Sequence, residues 1–509
     1  MQIFSWEGVL ALLLGGLYGS LFGAIPGLTA TLAVALFIPV AFFLDPLVAL
    51  PAIIAISSVA IFAGDVGSVV ARIPGTPASA AYVDELYRLA RAKGPIYGLG
   101  TSAMGSAVGG LIGTVLLMFG ATGIAKLAAQ FSSFEYFWVA VLGLTAGVFA
   151  SGGAPLKGFV SLLLGLLFAT VGIDPTLGFP RFDFGSPDLL SGLNYIVAMI
   201  GLFGFSEVLE YLYRGHTQDR RAVPEIKGES VKQFYKKPLQ LIWTSRWLVV
   251  RSSLLGVLVG FLPGAGSDVG SWVATSVQKM TGSEDDELAQ DRVVLSGTTS
   301  NNAAVASAWI PALSLGLPGD TVTAIVLGVF MMKGITPGPL LFENDLSLVW
   351  ALYLTFLASN LLLLPLYGLL TARLAALVVR VPFNLLLSVI AALCVVGAYA
   401  INNSPFDVWV MAAMGGVAFV LRRGGFPLAQ VVLGMVLGPI LEQNFMVSAI
   451  KSSWNLAAFF ERPIALVLLI ATVVIVVAGI RLSARLKPRS DSVGVPEEVP
   501  TDRDSPEEE

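Results

Sequence analysis

In each half of this apolar chain a pair of Pro-Gly breaks recurs in the same order. Residues 19–27 read GSLFGAIPG and residues 256–264 read GVLVGFLPG, with glycines at the same places. A second Pro-Gly follows each at a similar distance, in RIPGTPASA at 72–80 and LGLPGDTVTA at 315–324. Proline removes a backbone donor and clashes with the preceding helical turn. At membrane depth, irregular backbone is tolerated only where it is buried in protein or lines a cavity. Glycines four apart also let transmembrane helices approach closely. That packing role suits the first two glycines of each set and leaves the Pro-Gly pairs unexplained.

The setting is a membrane. The 509 residues are 56% hydrophobic and 13% charged, with a mean hydropathy of +0.81, against about 25% charge in soluble proteins. Spans are expected near 8–25, 28–44, 47–70, 96–119, 134–151, 157–173 and 190–212. Further spans follow near 248–263, 266–280, 293–316, 347–370, 383–401, 405–421, 427–441 and 463–482. The fold class is therefore an all-α polytopic membrane protein with about 14–15 membrane segments, some of them broken or re-entrant. The first apolar run has no Lys or Arg before it and reads as a retained span. The single cysteine, Cys394, excludes an intrachain disulfide, and the single histidine, His216, argues against histidine zinc sites and His-based triads.

Seven spans in the first half and the same set plus one in the second imply two inverted-topology repeats, because an odd repeat returns upside down. The expected division is 1–213 for the first repeat, 214–246 for a cytoplasmic linker and 247–462 for the second repeat. An extra helix at 463–482 and a disordered cytoplasmic tail at 483–509 complete it. With linker and tail inside, only Lys126, Arg181, Lys333, Lys451 and Arg462 of the 30 basic residues fall outside, as the positive-inside rule asks.

Broken helices expose helix ends. N-terminal N–H groups and the positive end of the dipole attract anions, and free carbonyls at C-terminal ends attract cations such as Na⁺. The breaks therefore predict a midplane site for a small anion built from Pro26, Gly27, Leu28 and Thr29; Pro74, Gly75, Thr76, Pro77 and Ser79; Pro263, Gly264, Ala265, Gly266 and Ser267; and Pro318, Gly319 and Thr321. Thr29, Thr76, Ser267 and Asp320 or Thr321 suit helix starts. Asn301 and Asn302, in SGTTSNNAAVAS, either bind the anion and Na⁺ or bond between helices. Asp65, Asp268 and Asp320 are candidate ion-coupling carboxylates, with Asp320 equally able to cap its helix. Arg72 either meets a substrate carboxylate or anchors the cytoplasmic end of its span.

The segments GAIPGLT, RIPGTPASA, GFLPGAGS, NNAAVASAWIPALSLGLPG and GITPGPLLF, in this order, resemble the large membrane subunit of tripartite tricarboxylate transporters, the TctA family, over roughly residues 8–440. The resemblance implies a bacterial inner-membrane secondary transporter, not an enzyme, that takes up a di- or tricarboxylate such as citrate. Its implied partners are a small TctB-like membrane subunit, a periplasmic TctC-like binding protein and the lipid bilayer, with no nucleic acid. It implies no cofactor beyond a coupling ion, for which Na⁺ is the expectation. The family often has Gly-Gly-Ser where this chain reads Asp65-Val-Gly-Ser68, and a Glu-Ala pair where it reads Thr298-Thr-Ser300; Arg72 is a further departure.

Two other classes compete. A passive anion channel shares paired breaks, although midplane helix-end sites suit alternating access better. An intramembrane aspartyl protease needs Gly-x-Gly-Asp before Pro-Ala-Leu, and here the Pro-Ala-Leu at 311–313 precedes the second Gly-Asp. GAGSDVG has the wrong spacing for a dinucleotide loop, and there is no G-x-x-x-x-G-K-[ST].

Overall fold

The structure, a computed structural model, describes residues 6–25, 28–149, 154–214, 231–263, 266–282, 286–378 and 383–485. It is almost wholly helical. Among the described residues, the sole sheet is one antiparallel pair, Gly172–Ile173 with Pro180–Arg181. Among the described residues, eight helices are long and apolar enough to cross a membrane, and a ninth candidate is the bent pair Val231–Thr244 and Arg246–Gly260, angled at 87°. Shorter apolar helices, among them Ala30–Phe43, Ser133–Phe149, Pro155–Ala169 and Thr321–Met332, supply further segments. The chain is a multi-pass membrane protein.

The glycine sets do pack helices. A Cβ on Gly19 or Gly23 would strike the backbone of Ile56 or Ala60, so the Trp6–Ala24 helix lies directly on Pro46–Ala63. In the second half, Gly256 and Gly260 press on Ser300 and Ala304 in the same way, seating Arg246–Gly260 on Ala289–Ser307. The second breaks match as well. Gly75 abuts the Gly64 backbone and Gly319 abuts the Ala308 backbone. Contact at each of these points leaves no room for a methyl group, which is why glycine stands there.

Several expectations change. Residues 231–244 of the expected linker form an amphipathic helix whose Phe234 is buried against Gly100 of the Pro95–Ala128 helix; residues 215–230 lie outside the described residues. The last helix runs Pro463–Arg485, so the first three residues of the expected tail are helical, and 486–509 lie outside the described residues. Besides Val231–Thr244 and the single-turn helices Leu341–Asn344 and Ala458–Glu461, Val83–Lys93 and Thr321–Met332 lie outside the expected spans. Val83–Lys93 is too charged to read as a span, and Thr321–Met332, at 12 residues, is too short to cross by itself.

Candidate functional site

A cavity of about 390 Å³ lies where the breaks meet, within the range of small-molecule sites. Four helices begin on its wall. Ala30–Phe43 starts at Thr29, whose Oγ1 accepts the Leu32 N–H at 3.2 Å. Ser267–Thr281 starts after Gly266, whose φ of 79° suits glycine, and has no side-chain cap. Thr321–Met332 starts at Asp320, which exchanges a reciprocal pair of bonds with Thr323: Asp320 Oδ1 accepts the Thr323 N–H and Thr323 Oγ1 accepts the Asp320 N–H, each at 2.8 Å. Leu428–Lys451 starts after Pro427, also without a side-chain cap. Each N-terminus carries roughly half a positive charge from its aligned peptides.

The 74–79 break meets the cavity differently. Thr76 and Pro77 line it, but the Thr76 N–H donates to Ser79 Oγ at 3.0 Å and the Ser79 N–H donates to Thr76 Oγ1 at 3.1 Å. The Ser79 hydroxyl in turn donates to the Thr76 carbonyl at 2.8 Å, so it serves the turn itself. This is the same reciprocal cap that Asp320 and Thr323 make.

Side-chain bonds close the cavity, all but Ser267–Asp320 across the two halves. The Thr31 and Thr321 hydroxyls are 2.8 Å apart. Trp272 Nε1–H donates to the Pro77 carbonyl at 3.0 Å, and Ser267 Oγ–H donates to Asp320 Oδ2 at 3.2 Å. The Ala78 N–H donates to the Asp268 carboxylate. Gln430 Nε2–H donates to the Gly147 carbonyl at 2.8 Å, and its Oε1 has no partner among the described residues. Among the described residues, the lining includes two carboxylates, Asp268 and Asp320, and no Lys or Arg.

Of the residues expected at the site, Thr29, Thr76, Pro77, Gly266, Ser267, Asp268, Asp320 and Thr321 line the cavity. Leu28, Pro74, Gly75, Ser79, Pro263, Pro318 and Gly319 flank it without lining it. Pro26, Gly27, Gly264 and Ala265 lie outside the described residues. Asn301 and Asn302 are buried in the Ala289–Ser307 helix and are not on the cavity wall; Asn301 Oδ1 and both polar side-chain atoms of Asn302 have no hydrogen-bond partner among the described residues. Asp65 is also off the wall, bonded by Ser102 and Tyr82. Sequence reasoning passed over Thr31, Trp272 and Gln430. Gln430 carried a usable signal, an amide inside an apolar run, the argument already applied to the asparagines. Trp272 carried none.

Convergent helix starts on a cavity inside an apolar bundle suit a transporter. The Tripartite tricarboxylate transporter TctA family matches residues 9–433. The chain belongs to the TctA family. It is 32% identical over 486 residues, 93% of each chain, to an "Uncharacterized 52.8 kDa protein in TAR-I ttuC' 3'region" of Agrobacterium vitis. An "Uncharacterized protein in TAR-II ttuC' 3'region" of the same organism is 35% identical over 238 residues, 46% of this chain and 96% of that protein. No solved structure matches. As a TctA-family member, the protein belongs to a class of transport permeases.

Proposed function

We propose that this TctA-family chain is the permease of a secondary-active, binding-protein-dependent uptake system for a di- or tricarboxylate, driven by a cation gradient. The observation that carries the reading is the meeting of four helix N-termini on one cavity. Hydrogen bonds to a charged group contribute roughly 1.5–3 kcal/mol each when made, so backbone N–H groups with the Thr29, Thr31 and Thr321 hydroxyls can hold a carboxylate without Lys or Arg. Asp268 and Asp320 would repel that anion. A cation between them, Na⁺ in this reading, neutralises the repulsion and ties anion binding to the ion gradient. The repeated glycine contacts and caps support two repeats, inverted in the membrane, that rock about this cavity. The system sits in the bacterial inner membrane with linker and C-terminus inside, together with a small membrane subunit and a periplasmic binding protein.

Radiolabelled citrate uptake into vesicles holding the permease, its small subunit and its binding protein tests this. The expected result is saturable accumulation that needs both partners and an inward Na⁺ gradient. Uptake that never saturates and only equilibrates would make the protein a channel. Asp320→Asn separates the cation role from the cap: lost Na⁺ dependence supports the first, unchanged transport the second.

A further inference from the structure

Asp65 stands apart from the cavity and has its own partners. It opens the Asp65–Ala71 helix and is 1% exposed. Tyr82 OH donates to its two carboxylate oxygens at 3.0 and 3.1 Å. Ser102 Oγ–H donates to Oδ2 from the Pro95–Ala128 helix. Tyr82 and Ser102 are themselves buried, and a Cβ on Gly297 would strike the Tyr82 ring, so the second half holds that ring in place.

Apart from Tyr18, the other ionisable groups on the elements packed against Asp65 are engaged elsewhere or open to solvent. Arg72 pairs with Asp84, Glu85 with Lys279, and Lys93 and Tyr97 with Asp291. Arg91 bonds Tyr87, and Tyr367 donates to the Leu13 carbonyl. Tyr18 is half-buried on the Trp6–Ala24 helix, while Glu7, Arg88, Lys126 and Arg373 are exposed. Across the half-boundary, Asp268 is within electrostatic reach of the Tyr82 hydroxyl. Among the described residues no cation pairs with Asp65.

We propose that Asp65, Tyr82 and Ser102 form a proton-binding site, separate from the cavity and joined to it by the segment that carries Tyr82. A carboxylate inside an apolar bundle with no cation beside it is costly, and such acids mark ion and proton routes. A sodium ion needs a shell of oxygens, and here the protein offers two hydroxyls beside the carboxylate. A proton needs one lone pair. It adds to a carboxylate oxygen of Asp65 and no other bond changes. Tyr82 closes the segment that begins with Thr76 and Pro77 on the cavity wall. A shift of that segment withdraws one of the two hydroxyl donors from Asp65, so proton binding and the position of the break affect each other reciprocally. Tyr82 and Ser102 are positioning residues in this account.

The inference goes beyond the uptake reading and is tested without substrate. Purified full-length protein in lipid vesicles is titrated with acid while the carboxylic C=O infrared band is followed. In the wild type a band grows in on acidification. Asp65→Asn should remove one carboxyl's component from it, and Tyr82→Phe, which keeps the ring, should keep that component but displace its frequency and titration midpoint. Should Asp65→Asn fail to accumulate, Tyr82→Phe decides alone: a titration superimposable on the wild type overturns the proposal. A spectrum unchanged by Asp65→Asn overturns it too, as does a band that follows Na⁺ at fixed pH. Citrate uptake can fail in the vesicle assay without touching these outcomes.

Discussion

The second Pro-Gly of each half is folded alike and continued differently. At 74–79 and at 318–323 the glycine presses on the backbone of the preceding span, Gly75 on Gly64 and Gly319 on Ala308. A reciprocal cap comes next in both, Thr76 with Ser79 and Asp320 with Thr323. Beyond the cap the two part. VDELYRLARAK forms an amphipathic helix, Val83–Lys93, whose charges pair with Arg72, Lys279 and Asp291. TVTAIVLGVFMM forms an apolar, largely buried helix, Thr321–Met332. Local chemistry thus sets the turn, and the polarity of the next dozen or so residues sets whether the chain stays in the bundle. The cap residue differs too: the first half offers the cavity a hydroxyl, the second a carboxylate.

The largest effects should test the shared part. Gly75→Val and Gly319→Val each drive a side chain into backbone, so both should cost about 3 kcal/mol or more of stability. Thermal unfolding of detergent-solubilised protein, followed by size-exclusion chromatography, reads this. A loss in one half alone would break the equivalence of the two turns.

The caps should separate the halves. Asp320 starts a 12-residue buried helix and also accepts from Ser267, whereas Thr76 serves only a short turn. Asp320→Ala is expected to cost about 2 kcal/mol and Thr76→Ala about 1 kcal/mol or less, in the same melting assay. The reverse order would mean that the first turn, and not the second, anchors the site.

The smallest effect concerns the first half's charged helix. Arg72, bonded to Asp84 at 2.6 Å, holds that carboxyl below its ordinary range. The pair therefore contributes above the ordinary carboxylate range, and the contribution is lost as pH falls through the lowered value. Both side chains are about half exposed, at 55% and 49%, so solvent and salt screen them. Arg72→Ala should leave the melting temperature at neutral pH unchanged within error. A clear drop at neutral pH that vanishes in acid would give the first break an electrostatic anchor that the second lacks.

Much of the site was legible because helix breaks and caps are local. Thr29 and Asp320 cap the helices that their positions after Pro-Gly predict. Gly19, Gly23, Gly256 and Gly260 pack as glycines four apart do. The features that stayed hidden depend on side-chain direction and on distant chain. Ser79 spends its hydroxyl on its own turn. Asn301 and Asn302, in the Ala289–Ser307 helix that precedes the 318–319 break in the chain, sit off the cavity wall. Tyr82 gives no sign in sequence that it will meet Asp65.

By itself the sequence determined a helical, multi-pass chain of the TctA family with two similarly broken halves, because apolar length, Pro-Gly and glycine spacing act on neighbouring residues. Only the tertiary structure decided that Leu428–Lys451 contributes the fourth helix start, that Gln430 and Trp272 reach the cavity, and that Asp65 has partners of its own. Those are meetings of segments far apart in the chain, fixed by how whole helices pack, and no local pattern encodes which faces will come together.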